Sequence, residues 1–490
     1  MLRTILTTLY VLAALFLTLY TSGQIVLLIT YWRRGKQQFP LPTVDKWPTV
    51  AIQLPIYNER HVVMRLLEAV ARMDYPCDRL VVQVLDDSTD DTTALVAQGV
   101  KKIRRQGLTV HHVQRATRQG YKAGALAYGL SSLDSELVAL FDADFVPAPD
   151  FLKRTVPYMA ADPGLGIVQT RWGHLNPEDN RLTQAQALSV DAHFVVEQTA
   201  RNRAGWLLTF NGTGGLWRTQ CIREAGGWRD DTVTEDLDLS YRAQLAGWRY
   251  LFLPDVAVPG ELPPQLAAYK QQQARWAKGN TQCLLRLFRP VWQGSLTLMQ
   301  RIMALQHLAQ YLPHPLMLLL LLLTPPLMLL GVLDGLPLAP LGLVGLGPPL
   351  LYLVSQRALY PDWKRRLLAF PVLMLLGTGI TWNNTRAVLS AFRDRQGGEF
   401  RRTPKFGRGW QTSGYALPVD GNLWVESLLA LYALWGTRLA LELQPSLTPY
   451  LGLYSIAFAT LALWGLRDRW RLRQVLPIPP GKIPSYAKER

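Results

Sequence analysis

The apolar residues of this chain fall in blocks. Ile5 to Trp32 contains no charged residue, and a helix of that length crosses a bilayer core about 30 Å thick, which takes roughly 20 apolar residues. The run is longer than the apolar part of a signal peptide, and no small-residue cleavage site stands out. It therefore reads as a membrane span over 5–32. Further spans are expected near 315–333, 338–354, 423–443 and 447–466. Leu367 to Trp382 is apolar but short and runs into Asn383, Asn384 and Arg386, so the 367–392 stretch is expected to lie at the interface or to re-enter. Between the first and second spans the pattern changes. Short β-rich runs alternate with helix-compatible stretches over 46–294, the mark of a layered α/β domain. A membrane region over 295–473 and a tail over 474–490 complete the expected organisation.

Charge settles which way the blocks face. The 490 residues carry a net charge of +16, from 52 Lys+Arg against 36 Asp+Glu. Such an excess suits nucleic acid in a soluble protein, but here the basic clusters flank the apolar blocks. Arg33, Arg34 and Lys36 follow the first; Lys364, Arg365 and Arg366 follow the third; Arg393, Arg395, Arg401, Arg402 and Lys405 precede the fourth; Arg467, Arg469, Arg471 and Arg473 follow the last. All fall on one side if the N-terminus is outside and 367–392 does not cross. The positive-inside rule then makes the polar region and the tail cytoplasmic. Membrane lipids, not nucleic acid, are the expected partner. The three cysteines show neither metal spacing nor a disulfide framework.

Within the polar region, "TVAIQLPIY", "LVVQVLDDS", "LTVHHVQ" and "LVALFDADF" read as strands that end in polar residues, and open α/β sheets bind ligands at the carboxyl ends of their strands. Asp142 and Asp144 of "FDADF" are two apart at a strand end, so period-2 geometry sends both to one face. A hard cation, Mg²⁺ or Mn²⁺, would neutralise them; turn chemistry accounts for them equally. Asp86, Asp87, Asp90 and Asp91 of "VLDDSTDD" suit a ribose or base contact, or a helix cap from Ser88 or Asp90. Tyr57 and Glu59 of "YNER" follow the same logic. "QGYKAGAL" offers Gly120, Lys122 and Gly124 for close approach to phosphate. "TVTEDLDL" starts a helix capped by Thr232 or Thr234, with Glu235 and Asp236 in its first turn; Asp236 suits a general base, and both acids suit the helix dipole. In "QQQARW", Arg275 suits bidentate phosphate recognition and Trp276 suits stacking on a sugar ring, with Gln272 on the same helix face.

Taken in order, "YNE", "DDS", "KAG", "DAD", "FNGTGG", "TED" and "QQARW" are far more specific than any one of them. The series resembles the membrane-integrated family 2 glycosyltransferases, most closely the cellulose synthase-like A and C proteins that make mannan and glucan. The resemblance implies an α/β GT-A domain of Rossmann-like character joined to an α-helical transmembrane bundle. It implies nucleotide contacts from Asp87, Glu59 and Lys122, a metal held by Asp142 and Asp144, catalysis by Asp236 beside Glu235, and a QxxRW motif of Gln272, Arg275 and Trp276. Phe210, Asn211, Gly212 and Thr213 would line the acceptor end. "FRRTPK" is similar to a gating loop, expected over 397–410, with Phe400, Thr403 and Lys405 at matching places and Arg402 where the pattern has Val. The implied activity is β-1,4-glucan or mannan extension from UDP-glucose or GDP-mannose with passage of the polymer through the membrane. A lipid glycosyltransferase of the ceramide glucosyltransferase type is the alternative. A bacterial plasma membrane or a plant Golgi membrane would suit either.

Overall fold

The computed structural model describes residues 1–333, 347–407, 409–419 and 421–475. Part of the span expected at 338–354, Arg408 of the gating-like segment and the tail from 476 lie outside the described residues. The chain opens with the helix Leu2–Arg34. Seven strands follow: β1 (Val50–Ile56), β2 (Leu80–Asp86), β3 (Thr109–Val113), β4 (Leu137–Leu140), β5 (Leu165–His174), β6 (Gly215–Arg218) and β7 (Arg249–Gly260). They form one sheet in the order β3-β2-β1-β4-β6-β5-β7. β1 to β4 are parallel, β6 runs antiparallel to both β4 and β5, and β5 and β7 pair in parallel.

The four strands expected from the pattern are β1 to β4, and the near-continuous apolar runs of β1, β2 and β4 have a physical cause. Helices cover both faces of these three, so alternate residues have no solvent to face, whereas edge strand β3 leaves Thr109 and His111 exposed. Val50, Ile52 and Leu54 pack into one core and Ala51 into the other. The two buried glutamines pair with each other, though Gln53 Oε1 has no partner among the described residues. Gln53 Nε2 donates to Gln83 Oε1 at 3.0 Å, and Gln83 Nε2 donates to the Gly129 carbonyl at 3.2 Å. On the second core Trp217, fully buried, meets Phe210 and Trp228 edge-on. Trp217→Ala should therefore cost about 3–5 kcal/mol of stability, read as a fall in thermal midpoint; a midpoint unchanged from wild type would contradict this packing.

Register places the chemistry. Gln53 of β1 lies beside Leu140, the last residue of β4. The chain then leaves the sheet in a turn closed by Phe145 N–H donating to the Asp142 carbonyl at 3.0 Å. Asp142 and Asp144 thus belong to a turn past the strand end, not to the strand itself.

Among the described residues two helices are long and apolar enough to cross a membrane, Leu2–Arg34 and Pro445–Leu472. Two bent pairs pass only when each is taken together: Leu298–Leu308 with Pro313–Leu329, bent by 66°, and Trp363–Gly379 with Thr381–Arg393, bent by 43°. The latter pair covers the stretch expected to re-enter. The helix Leu423–Leu443 has 21 residues, about 31 Å at 1.5 Å per residue, but Glu426, Arg438 and Glu442 lower its hydropathy. Glu426 is buried against Lys270 Nζ at 2.5 Å, which ties this helix to Leu266–Gln293.

Candidate active site

One cavity of about 620 Å³ gathers the chemistry of distant segments. Tyr57 and Glu59 enter it from the end of β1, Asp87 from the end of β2, and Asp142 and Asp144 from the turn after β4. Lys122 enters from the helix Tyr121–Ser131, which starts after Gly120 at φ 69°. Glu235 and Asp236 come from the first turn of Glu235–Leu245. Gln272, Arg275 and Trp276 share one face of Leu266–Gln293, and Phe400, Thr403 and Lys405 close the cavity from the 400–405 segment.

Each acid of the "DAD" turn is held by one ammonium. Lys122 Nζ lies 2.5 Å from Asp142 Oδ1 and donates to the Gly212 carbonyl at 3.0 Å. Lys405 Nζ lies 2.7 Å from Asp144 Oδ2, which also accepts the Glu261 N–H at 3.1 Å. Burial opposes the charge of both lysines, yet Asp142 and Glu235 hold Lys122 above its ordinary pKa, and Asp144 and Glu261 do so for Lys405. These contacts set one ammonium against each carboxylate, so side chains compensate the charge of the pair.

Asp236 sits where backbone crowds it. Its Oδ1 accepts the Leu237 N–H at 2.9 Å. A Cβ on Gly212, at φ 82°, would lie 2.9 Å from Asp236 Oδ2 and 3.3 Å from Lys122 Nζ, so only glycine lets the "NGT" backbone pass so close. Burial first and Glu235 second push the Asp236 pKa up to about 7, against the pull of Lys122 and Arg275. A carboxylate poised there accepts a proton near neutrality.

Arg275 completes the cavity wall. Its guanidinium lies 4.7 Å from the centre of the Phe400 ring, and its Nε is buried with no hydrogen-bond partner among the described residues. This is a cation prepared for an anion.

Residues 48–279 match the family described as "Glycosyltransferase like family 2". The 48–279 segment is a family 2 glycosyltransferase domain. Among curated relatives, glucomannan 4-beta-mannosyltransferase 1 of Cyamopsis tetragonoloba is 47% identical over 238 residues, 48% of this chain and 45% of that protein. Glucomannan 4-beta-mannosyltransferase 2 of Arabidopsis thaliana is 40% identical over 272 residues, 53% of this chain and 51% of that protein. The chain thus spans about half the length of the curated relatives it matches. A solved mannosyltransferase, PcManGT from Pyrobaculum calidifontis, in complex with GDP-Man and Mn²⁺, superposes with a TM-score of 0.54 at 23% identity. That superposition covers 78% of this chain and 98% of that one. The fold is of the GT-A type.

The glycosyltransferase domain carries no closed metal cage: among the described residues no three His, Cys, Asp or Glu side chains converge. The site fits a hard divalent cation of the kind that takes one or two carboxylates and completes its shell from substrate phosphates. Asp142 and Asp144 would be the carboxylates to hold it, and Lys122 and Lys405 now supply positive charge to them.

Two expected acceptor residues do not reach the cavity. Phe210 and Thr213 are fully buried. Phe210 packs on Trp217, and Thr213 Oγ1 accepts the Asp142 N–H at 2.9 Å, so Thr213 sets the "DAD" turn from beneath. Asn211 and Gly212 do line the cavity. Neither Thr232 nor Thr234 caps Glu235–Leu245; Thr234 Oγ1 lies 3.5 Å from Cys283 Sγ instead. Ser88 Oγ accepts the Asn58 N–H, and Asp90 Oδ1 accepts that of Thr92.

Other groups escaped the pattern. Asp87 is neutralised by Arg115, at 3.0 Å and 2.5 Å from its two oxygens, and Arg118 lies 3.4 Å above the Tyr57 ring. The two arginines within "RATRQGYK", beside a glycine that opens a helix, were the available signal. Glu261, buried, accepts the N–H groups of Phe406 and Gly407 at 2.7 Å and 3.2 Å and pairs with Arg65. Arg402, the departure from the gating pattern, lies 3.3 Å from Glu59. Burial raises the Glu59 pKa to about 8, with Arg402 opposing. His193 meets Glu197 and Asn211 at 3.1 Å each in the cavity wall.

Proposed function

We propose that this chain is an inverting β-mannosyltransferase that draws mannose from GDP-mannose and extends a β-1,4-linked mannan. The observation that carries this reading is the single cavity that joins the "DAD" pair, Asp236 and the QxxRW face, then continues to Tyr20, Tyr311 and Tyr352 of the flanking helices. The identity of the catalytic domain to proteins named glucomannan 4-beta-mannosyltransferases supports mannose. The complex of PcManGT with GDP-Man and Mn²⁺ supports the donor and a divalent cation.

In this reading Asp142 and Asp144 would hold a divalent cation, which would supply positive charge to the donor diphosphate. Arg275 and Lys122 meet the negative charge that grows on that diphosphate, so they stabilise the transition state more than the ground state. Asp236 takes the proton from the attacking acceptor hydroxyl on the opposite face of the sugar, so an α-linked donor yields a β-linked product without a covalent enzyme intermediate. Trp276 offers its ring to the acceptor sugar. The 400–405 segment closes over the donor through Phe400, Thr403 and Lys405. The helices Leu2–Arg34 and Pro445–Leu472 embed the chain, the catalytic domain faces the cytoplasm, and the polymer leaves along the Tyr-lined arm of the cavity.

A donor panel on purified protein tests this. GDP release from GDP-mannose should exceed UDP release from UDP-glucose by roughly tenfold or more, because a site built to pair one base leaves buried polar groups unpaired with another. EDTA should abolish release, and Mn²⁺ or Mg²⁺ should restore it. The product should fall to short oligosaccharides under β-mannanase. A single-sugar lipid on thin-layer plates would favour the lipid-acceptor reading, and preferred release of UDP would sink GDP-mannose as donor.

A further inference from the structure

A second cavity, of about 600 Å³, shares Glu261 with the first and lies between Phe406, Gly407 and residues 409–411 on one side and the end of the helix Thr448–Val475 on the other. Trp464, Asp468 and Arg471 line it, four and three residues apart and so on one helix face. Arg467 and Trp410 also line it. Asp468 is only 2% exposed, and neither of its carboxylate oxygens has a hydrogen-bond partner among the described residues. The charges of Arg471 and Arg467 offset part of the cost of burying it, and the Leu266 N–H at the start of the QxxRW helix acts on it without reaching hydrogen-bond geometry. A buried carboxylate without an aligned donor is costly, and a ligand that brings N–H donors removes that cost.

The level of the cavity narrows the ligand. It lies at the end of a helix apolar enough to cross a membrane, where basic and tryptophan side chains meet lipid headgroups. The ligand must offer an ammonium with N–H donors to Asp468 and a phosphate to the arginines, with apolar parts against Trp410 and Trp464. We propose that this cavity is a binding site for a phosphoethanolamine phospholipid headgroup, its ammonium donating to Asp468 and its phosphate accepting from Arg471. A choline headgroup has no N–H to give, and a glycerol headgroup has no cation. The opposite wall includes Phe406 and Gly407, whose N–H groups rest on Glu261, next to the Lys405 that meets Asp144. A bound headgroup therefore buttresses the segment that closes the donor cavity.

The inference rests on the membrane-embedded reading, which carbonate extraction of membranes tests separately. The deciding experiment offers equal amounts of dioleoyl phosphatidylethanolamine, phosphatidylcholine and phosphatidylglycerol to the purified full-length chain and counts retained lipid by native mass spectrometry. Wild type should prefer the ethanolamine lipid by about tenfold, as befits a charge-assisted hydrogen bond. Asp468→Asn should erase that preference. Arg471→Gln should weaken retention of all three lipids, since each carries the phosphate that Arg471 meets. Equal retention of the three lipids by wild type, or a preference that survives Asp468→Asn, overturns the proposal. Should Asp468→Asn fail to fold, the wild-type contrast and Arg471→Gln still decide.

Discussion

Asp236→Asn is expected to bind nucleotide sugar as wild type does and to lose transfer by about 10²- to 10⁴-fold, the range that a positioned general base supplies. The carboxamide keeps the shape that Gly212 is moulded to and keeps an oxygen for the Leu237 N–H, but it cannot take a proton. Wild-type transfer should fall as pH drops through about 7, the value to which burial and Glu235 push Asp236, because the protonated acid is inactive. The same shift has a stability consequence. A carboxyl whose pKa is raised on folding binds more protons folded than unfolded, so stability is greatest below the unfolded pKa and declines as pH rises through the folded one. At pH 8 the ionised Asp236 therefore opposes folding, and Asp236→Asn should melt higher than wild type while transferring nothing. That pairing separates lost chemistry from lost fold. Transfer by Asp236→Asn within about threefold of wild type would remove Asp236 from the mechanism, since a base that matters supplies far more.

The parts of this site that were legible in the sequence share a cause. Parallel strands covered on both faces must be apolar without a break, and the ligand end is where the run stops, so β1, β2 and β4 announced Tyr57, Asp87 and the "DAD" pair. β5 to β7 were not announced. β6 has only four residues inside "FNGTGGLWR", and β5 and β7 include the half-buried Arg171 and the exposed Arg249 and Asp255, together with His174, whose side chain is buried against Asp191. Asp142 and Asp144 were expected to share one face of a strand, but the strand stops at Leu140 and a turn brings both into the cavity, each against its own lysine. Apolarity also overstated the simplicity of the spans. Pro313 lacks an N–H and restarts the helix there, so Leu298–Leu308 and Pro313–Leu329 meet at 66°. No single motif distinguished ligand chemistry from capping or turn chemistry. What the fold adds is their meeting in one cavity, which depends on contacts such as Lys405 with Asp144, 261 residues apart in the chain.

Arg275→Ala should cost about 10²- to 10³-fold in kcat/KM for the donor, the loss seen when one preorganised donor to a developing negative charge is removed. The case rests on what Arg275 lacks. Lys122 and Lys405 have carboxylate partners, and Arg402 has Glu59. Arg275 has a face on Phe400 and a buried Nε with no partner among the described residues. Only an anion brought into the cavity repays that arrangement, and two phosphate oxygens match a guanidinium fork as an ammonium does not. Arg275→Lys should therefore recover little of the loss. Product inhibition gives a second reading: GDP should bind at least about tenfold more weakly to Arg275→Ala, as expected when a charge-assisted hydrogen bond is lost, while mannose-only acceptors should keep their KM. An Arg275→Ala enzyme with unchanged GDP affinity and kcat would assign this arginine to packing on Phe400, and the diphosphate would have to sit against Lys122 and Lys405 instead.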